Sequence, residues 1–93
     1  MYSISYNKSF RKDIKKINKN NILMKEIYFV IDCFINEINL DKKYKKHKLK
    51  GYLSDYFEIH IRPDLLLIYK INENSKNIIL SRIGSHNYLR VVV

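Results

Sequence analysis

Tyr56-Phe57-Glu58-Ile59-His60-Ile61-Arg62-Pro63-Asp64-Leu65-Leu66-Leu67-Ile68-Tyr69-Lys70-Ile71 decides the fold. Its first half alternates. Phe57, Ile59 and Ile61 fall on one side of an extended chain and Tyr56, Glu58 and His60 on the other, the period-two signature of a half-buried strand. Its second half, Leu65 to Ile71, is nearly continuously apolar, as a central strand covered on both faces should be. Pro63 fixes its own φ and biases Arg62 towards an extended conformation, so the two strands meet at a tight connection. Asn72-Glu73-Asn74-Ser75 reads as a turn and Asn77 to Ile83 as the next strand, which Gly84 ends.

Working outward, residues 2–6 alternate Tyr2, Ile4 and Tyr6 with Ser3 and Ser5, a further strand pattern. Asn7 or Ser9 then caps a helix in which Phe10, Ile14 and Ile17 recur at four and three residues. Asn18-Lys19-Asn20-Asn21 breaks it, and Asn20 or Asn21 is the second cap. Leu23, Ile27, Val30, Phe34 and Ile38 mark the apolar stripe of a second helix, widened by Ile31 and Ile35. Asn39 to Gly51 has no clear period and reads as an exposed loop. His86 to Val93 reads as a short turn and a final β segment. The expected class is α+β, with element order β-α-α-β-β-β and a helical hairpin packed on a small antiparallel sheet.

At 93 residues the chain is one domain, 1–93. Eighteen Lys and Arg against nine Asp and Glu give a formal charge of +9. Such a field steers association with polyanions, nucleic acid first among them. A membrane surface is disfavoured, because no amphipathic basic helix is set apart from the core. The N-terminal segment lacks the basic and apolar regions of a signal peptide, and no apolar window approaches spanning length, so a cytoplasmic location is expected. Cys33 is single and sits in an apolar run, where it is expected to be a buried thiol outside any disulfide or cysteine metal site.

The three histidines lie in polar or basic motifs. His47 falls in a run with Lys42, Lys43, Lys45, Lys46, Lys48 and Lys50, where Tyr44 and Tyr52 interleave aromatic surface with positive charge, a mixture suited to RNA. His60 shares its strand face with Tyr56 and Glu58. Asp64, beyond Pro63, could orient an imidazole, cap a turn or pair with a lysine. Arg82 falls on the strand face of Ile78 and Leu80, a position that calls for an anionic partner: an acid of the chain or a phosphate. His86 follows Gly84 at the strand end. Positions 47, 60 and 86 lack the helical spacing or cysteine companion of a zinc site, so no metal and no cofactor is expected. Imidazoles suit proton transfer near neutral pH. RNA can supply its own 2′-OH nucleophile if a base, an acid and a cation are provided.

His47-Lys48-Leu49-Lys50-Gly51, Glu58 to Tyr69 and Arg82-Ile83-Gly84-Ser85-His86-Asn87-Tyr88-Leu89, with Phe10-Arg11-Lys12-Asp13 upstream, resemble the YafQ branch of the RelE/ParE toxin superfamily. The resemblance implies a toxin of a type II toxin–antitoxin pair that cleaves mRNA in the ribosome without a metal. It also implies silencing by a DinJ/RelB-like antitoxin in a heteromeric complex. Carried onto these positions, it implies a catalytic set of His47, His60, Asp64 and His86, with Arg82 on the scissile phosphate. Lys43, Lys45, Lys46, Lys48, Lys50, Tyr88 and Arg90 would contact RNA. Where the family usually ends on an aromatic residue, this chain has Arg90, which could stack on a base or bind phosphate. Competing expectations are a ParE-like inhibitor of gyrase and a catalytically weakened RNA-binding module.

Overall fold

The structure is a computed structural model that describes the backbone from Met1 to Val92 and the side chains as far as Leu89. The decisive stretch forms β3 (Tyr56–Arg62) and β4 (Leu65–Asn72), followed by β5 (Asn77–Gly84). Upstream lie β1 (Ser3–Tyr6), α1 (Lys8–Lys15), α2 (Asn21–Ile35) and the short β2 (His47–Lys48); α3 (His86–Val92) follows β5. The strands make one sheet in the order β1-β5-β4-β3-β2. The α+β expectation holds, but the sheet is mixed. β1 pairs parallel with β5, while the other three pairings are antiparallel.

One face of the sheet carries the main core. Ile59, Leu67, Tyr69, Leu80 and Ile83 pack there with Phe10, Ile27, Val30 and Phe34 from α1 and α2. The opposite face holds a smaller cluster of Leu66, Ile68 and Leu89. β4 is thus covered on both sides, as its unbroken apolar run requires.

Both helix starts follow from asparagine chemistry. Asn7 Oδ1 accepts the Phe10 N–H at 2.9 Å and Asn20 Oδ1 accepts the Leu23 N–H at 3.0 Å. Ser9 and Asn21 lie inside the helices instead. α1 stops at Lys15, short of Ile17, because its last turn tightens: the Lys16 and Ile17 N–H groups bond three residues back, to Asp13 and Ile14.

Four expectations need correction. The 39–51 stretch is no plain loop: it holds a 3₁₀ turn at Lys42–Tyr44 and then β2, with a second 3₁₀ turn at Gly51–Leu53. Tyr44 is buried in the main core, so it offers no ring to RNA. From His86 to Val92 the chain is helical where a β segment was expected, and Val93 lies outside the described residues. Ser85 Oγ accepts the Tyr88 N–H at 3.2 Å, a serine cap that competes successfully with extension, and Leu89 seals the helix onto Leu66 and Ile68. Finally, a bulge in β5 shifts the register between Leu80 and Arg82. It sets Arg82 opposite Ile68, off the face shared by Ile78 and Leu80.

Candidate functional site

The sheet face away from α1 and α2 carries the histidines, and strand register explains why. His47 pairs with Glu58, Glu58 with Ile68, and Ile68 with Arg82. Residues directly opposite one another project to the same side, so these four form one row across β2, β3, β4 and β5. His60, two residues along β3 from Glu58, projects on that same side opposite Leu66.

At the β2 end of the row a carboxylate gathers two imidazoles. Glu58 Oε2 lies 3.1 Å from His47 Nε2 and 3.6 Å from His60 Nε2, and the two rings stand 6.3 Å apart. The Glu58 and His60 side chains are mostly covered, while His47 is about half exposed. His47 Nδ1 is 3.0 Å from the Lys45 carbonyl. Both its nitrogens therefore face oxygen atoms of the protein. The ligand atoms of His47, Glu58 and His60 all lie within 4.8 Å of one another, so they could hold a metal ion. Spacing along the chain does not reveal this set; cross-strand pairing creates it.

Leu66 and Ile68 form the floor beyond Glu58, and α3 closes the far side through Leu89. His86 opens that helix and lines the same cleft as Glu58. Asp64 Oδ1 accepts the backbone N–H of His86 at 3.2 Å. Of the roles open to Asp64, the structure has it capping the start of α3. Gly84 permits the close approach of that helix, since a Cβ there would stand 2.8 Å from Tyr88 Cδ2.

Arg82 stands differently from the histidines. β1 ends at the Tyr6 and Leu80 pairing, leaving the rest of the β5 edge without a strand neighbour. The Asp13 carboxylate fills that place. Oδ2 accepts the Ile83 N–H at 3.0 Å and Arg82 Nε at 2.7 Å, while Oδ1 accepts Arg82 Nη2 at 3.0 Å and the Tyr88 hydroxyl at 3.1 Å. Burial by itself raises the Asp13 pKa, but the bonds and charge of Arg82, the Ile83 N–H and the Tyr88 hydroxyl outweigh it and hold the carboxyl below its usual range. Arg82 is held above its ordinary value, chiefly by its hydrogen bond to Asp13 and against the effect of burial. Tyr88 belongs to the same cluster: its hydroxyl also accepts from Lys16 Nζ at 3.0 Å, and its ring lies 5.2 Å from Arg82 Cζ.

Lys43, Lys45, Lys46, Lys48 and Lys50 are all exposed around the β2 end. Lys46 Nζ lies 5.1 Å from the Phe57 ring centroid, so its charge is partly committed to a cation–π contact. The Arg90 side chain falls outside the described residues. Two contributors escaped the sequence reading. In the sequence Glu58 stands out only as a neighbour of His60, although an i, i+2 acid and histidine on one strand face must lie side by side. Asp13 occupies the helical stripe of Phe10, Ile14 and Ile17, and an acid on a buried stripe signals a buried cationic partner.

Residues 2–91 match the family model for the bacterial toxin of type II toxin–antitoxin systems, YafQ. The chain is 32% identical over 84 residues to the mRNA interferase toxin YafQ of Escherichia coli, covering 89% of each protein. A crystal structure of a metal-bound toxin from Helicobacter pylori superposes with a TM-score of 0.87 at 43% identity, over 96% of this chain and 99% of that one. The toxin in the Escherichia coli DinJ-YafQ complex superposes with a TM-score of 0.84 at 31% identity, over 96% and 98% respectively.

Proposed function

The chain belongs to the YafQ family of toxins from type II toxin–antitoxin systems, and from that premise we propose that it is an endoribonuclease that cuts mRNA on the ribosome by acid–base chemistry. One observation supports this most directly: His47 and His60 are gathered on Glu58, and His86 lines the same cleft as that carboxylate. Two separated imidazole groups beside an open, basic surface are what a cleavage through the RNA 2′-OH requires.

In the proposed step a base takes the 2′-OH proton and the freed oxygen attacks the adjacent phosphorus. The bond from phosphorus to the 5′-oxygen breaks as an acid protonates that leaving oxygen, and a 2′,3′-cyclic phosphate remains. His86 supplies one proton transfer; His60, held beside Glu58, supplies the other, with His47 assisting at the edge. Asp64 acts by fixing the start of the helix that carries His86. The Arg82 N–H groups not aimed at Asp13, together with Lys43, Lys45, Lys46, Lys48 and Lys50, neutralise the phosphates. Tyr88 and Arg90 extend the RNA contact along α3. An acidic, DinJ/RelB-like antitoxin segment covers the basic surface in the silent complex, in keeping with the complex formed by the Escherichia coli relative.

Induced expression followed by mapping of mRNA 5′ ends tests the proposal. The wild type should produce new ends within coding regions, and His86→Ala should lose them while keeping its fold. Unchanged cleavage in His86→Ala would sink the assignment, and growth arrest with altered supercoiling but intact mRNA would favour gyrase as target.

The same cluster favours a second reading. Two imidazole nitrogens and a carboxylate oxygen within 4.8 Å of one another suit a late divalent transition metal, and the Helicobacter pylori relative is described as metal-bound. Such an ion would occupy the groups that move protons, so it should inhibit cleavage. Zinc titration by calorimetry should give one site in the wild type and none in His47→Ala. Activity that needs the ion would reverse the sense of this reading.

A further inference from the structure

Between the 3₁₀ turn at Gly51–Leu53, the floor of the sheet and α3 lies a cleft of about 230 Å³ that acid–base chemistry leaves unexplained. Its floor is Leu66, Ile68 and Leu89, each almost fully buried. Leu49 and Leu53 form the near wall, and Tyr52, 88% exposed as a residue, stands at the mouth. Among the described residues, the Glu58 carboxylate and the His86 imidazole join the Tyr52 phenol as its polar lining. The lining is therefore apolar with polar groups at one end, and that end is the candidate catalytic centre itself.

A phosphate would lose its hydration against such a floor without gaining partners there. A flat heterocycle would not, since its faces are apolar and its edge is polar. The cleft is smaller than the roughly 300–1,000 Å³ of sites for drug-sized ligands, which suits a single ring system. Lys48 and Lys50, exposed on the segment leading into the wall, can follow the backbone on either side. Resting on the ribonuclease reading of the neighbouring groups, we propose that this cleft receives the nucleobase next to the scissile phosphate, with Tyr52 stacking on it. Base–aromatic stacking is how proteins hold splayed single strands of RNA. Here it would also set the ribose and phosphate of that nucleotide in line between His60 and His86.

The cleft thus has an occupant class defined by shape and charge: a base on the apolar shelf, its phosphates towards the lysines. An apolar side chain from a protein partner could fill the shelf but would leave the polar end and the lysines unused.

A 2′-O-methyl RNA oligonucleotide, which binds but cannot undergo 2′-OH attack, provides the probe. In NMR titrations its addition should move the Tyr52 ring protons upfield. Tyr52→Ala should weaken binding about tenfold, within the range for loss of one stacked base, and Tyr52→Phe should restore it. An abasic nucleotide at one position should give the same loss, with no further loss when combined with Tyr52→Ala. Unmoved Tyr52 resonances, or additive losses from the abasic site and Tyr52→Ala, would overturn the proposal. Cleavage by the wild type with no preference for an intact base at any position would also overturn it while leaving the ribonuclease reading in place. Base-dependent binding without cleavage would do the reverse.

Discussion

Two carboxylates meet cations in this small protein, and they are put to different ends. Asp13 is 2% exposed and has four donors aimed at its two oxygens, from Arg82, Ile83 and Tyr88. Glu58 faces a cleft and holds two imidazoles at 3.1 and 3.6 Å, the second too long for a good hydrogen bond. The first cluster is closed around its carboxylate, so Asp13 itself has no further donor to gain. The second is open and loosely paired, so its groups can still exchange protons or partners. Saturation, more than residue type, separates a structural polar cluster from a chemical one.

Substitutions in the two clusters should therefore move different observables. The largest effect belongs to the open one. His60→Ala should lower mRNA cleavage by on the order of 10²–10⁴, the usual worth of one positioned proton transfer, with a melting temperature close to wild type. Asp13→Asn should behave in the opposite way. It leaves Arg82 without a countercharge, and breaking a buried pair by removing one partner costs about 3–5 kcal/mol, readable as a large fall in the urea midpoint. Equal losses of stability from the two substitutions would erase the distinction.

Acid sharpens the contrast. Asp13 is held below its ordinary carboxyl pKa in the folded state. Below the unfolded-state value, near 3.9, the unfolded chain takes up a proton that the native chain refuses. The stability due to Asp13 is thus complete above that pH and drains away as pH falls through the depressed folded value. Wild-type stability should drop steeply across that acid window, and Asp13→Asn should show a shallower slope. Parallel slopes would mean that other carboxyls govern acid unfolding.

The sequence carried these clusters unevenly. The alternating run to Ile61 and the apolar run after it announced β3 and β4, and asparagine caps announced both long helices, because each depends on local chemistry. His47 and His60 could be picked out as proton carriers, yet their union on Glu58 depends on β2, a two-residue strand with no periodicity to read. Arg82 was legible as a residue in need of an anion. Which anion was not, because the bulge in β5 and the early end of β1 decide it, and neither leaves a trace in composition. The helical tail hid behind Val91 and Val92, whose β preference is weaker than a serine cap and the packing of Leu89.

The smallest effect tests the border between the two clusters. Tyr88 belongs to the closed one through its hydroxyl, 3.1 Å from Asp13, and to the open one through α3, whose first residue is His86. Removing only that hydroxyl, as in Tyr88→Phe, should cost about 1 kcal/mol, the net worth of one such bond. The ring keeps its place against Gly84 and Arg82, so α3 should stay seated and cleavage should fall only slightly. A disproportionate loss of cleavage would mean that Asp13 holds the helix of His86 through Tyr88, coupling the closed cluster to the open one. The hydroxyl would then be a positioning group for catalysis, and Lys16, which shares it, would join the network that aims His86.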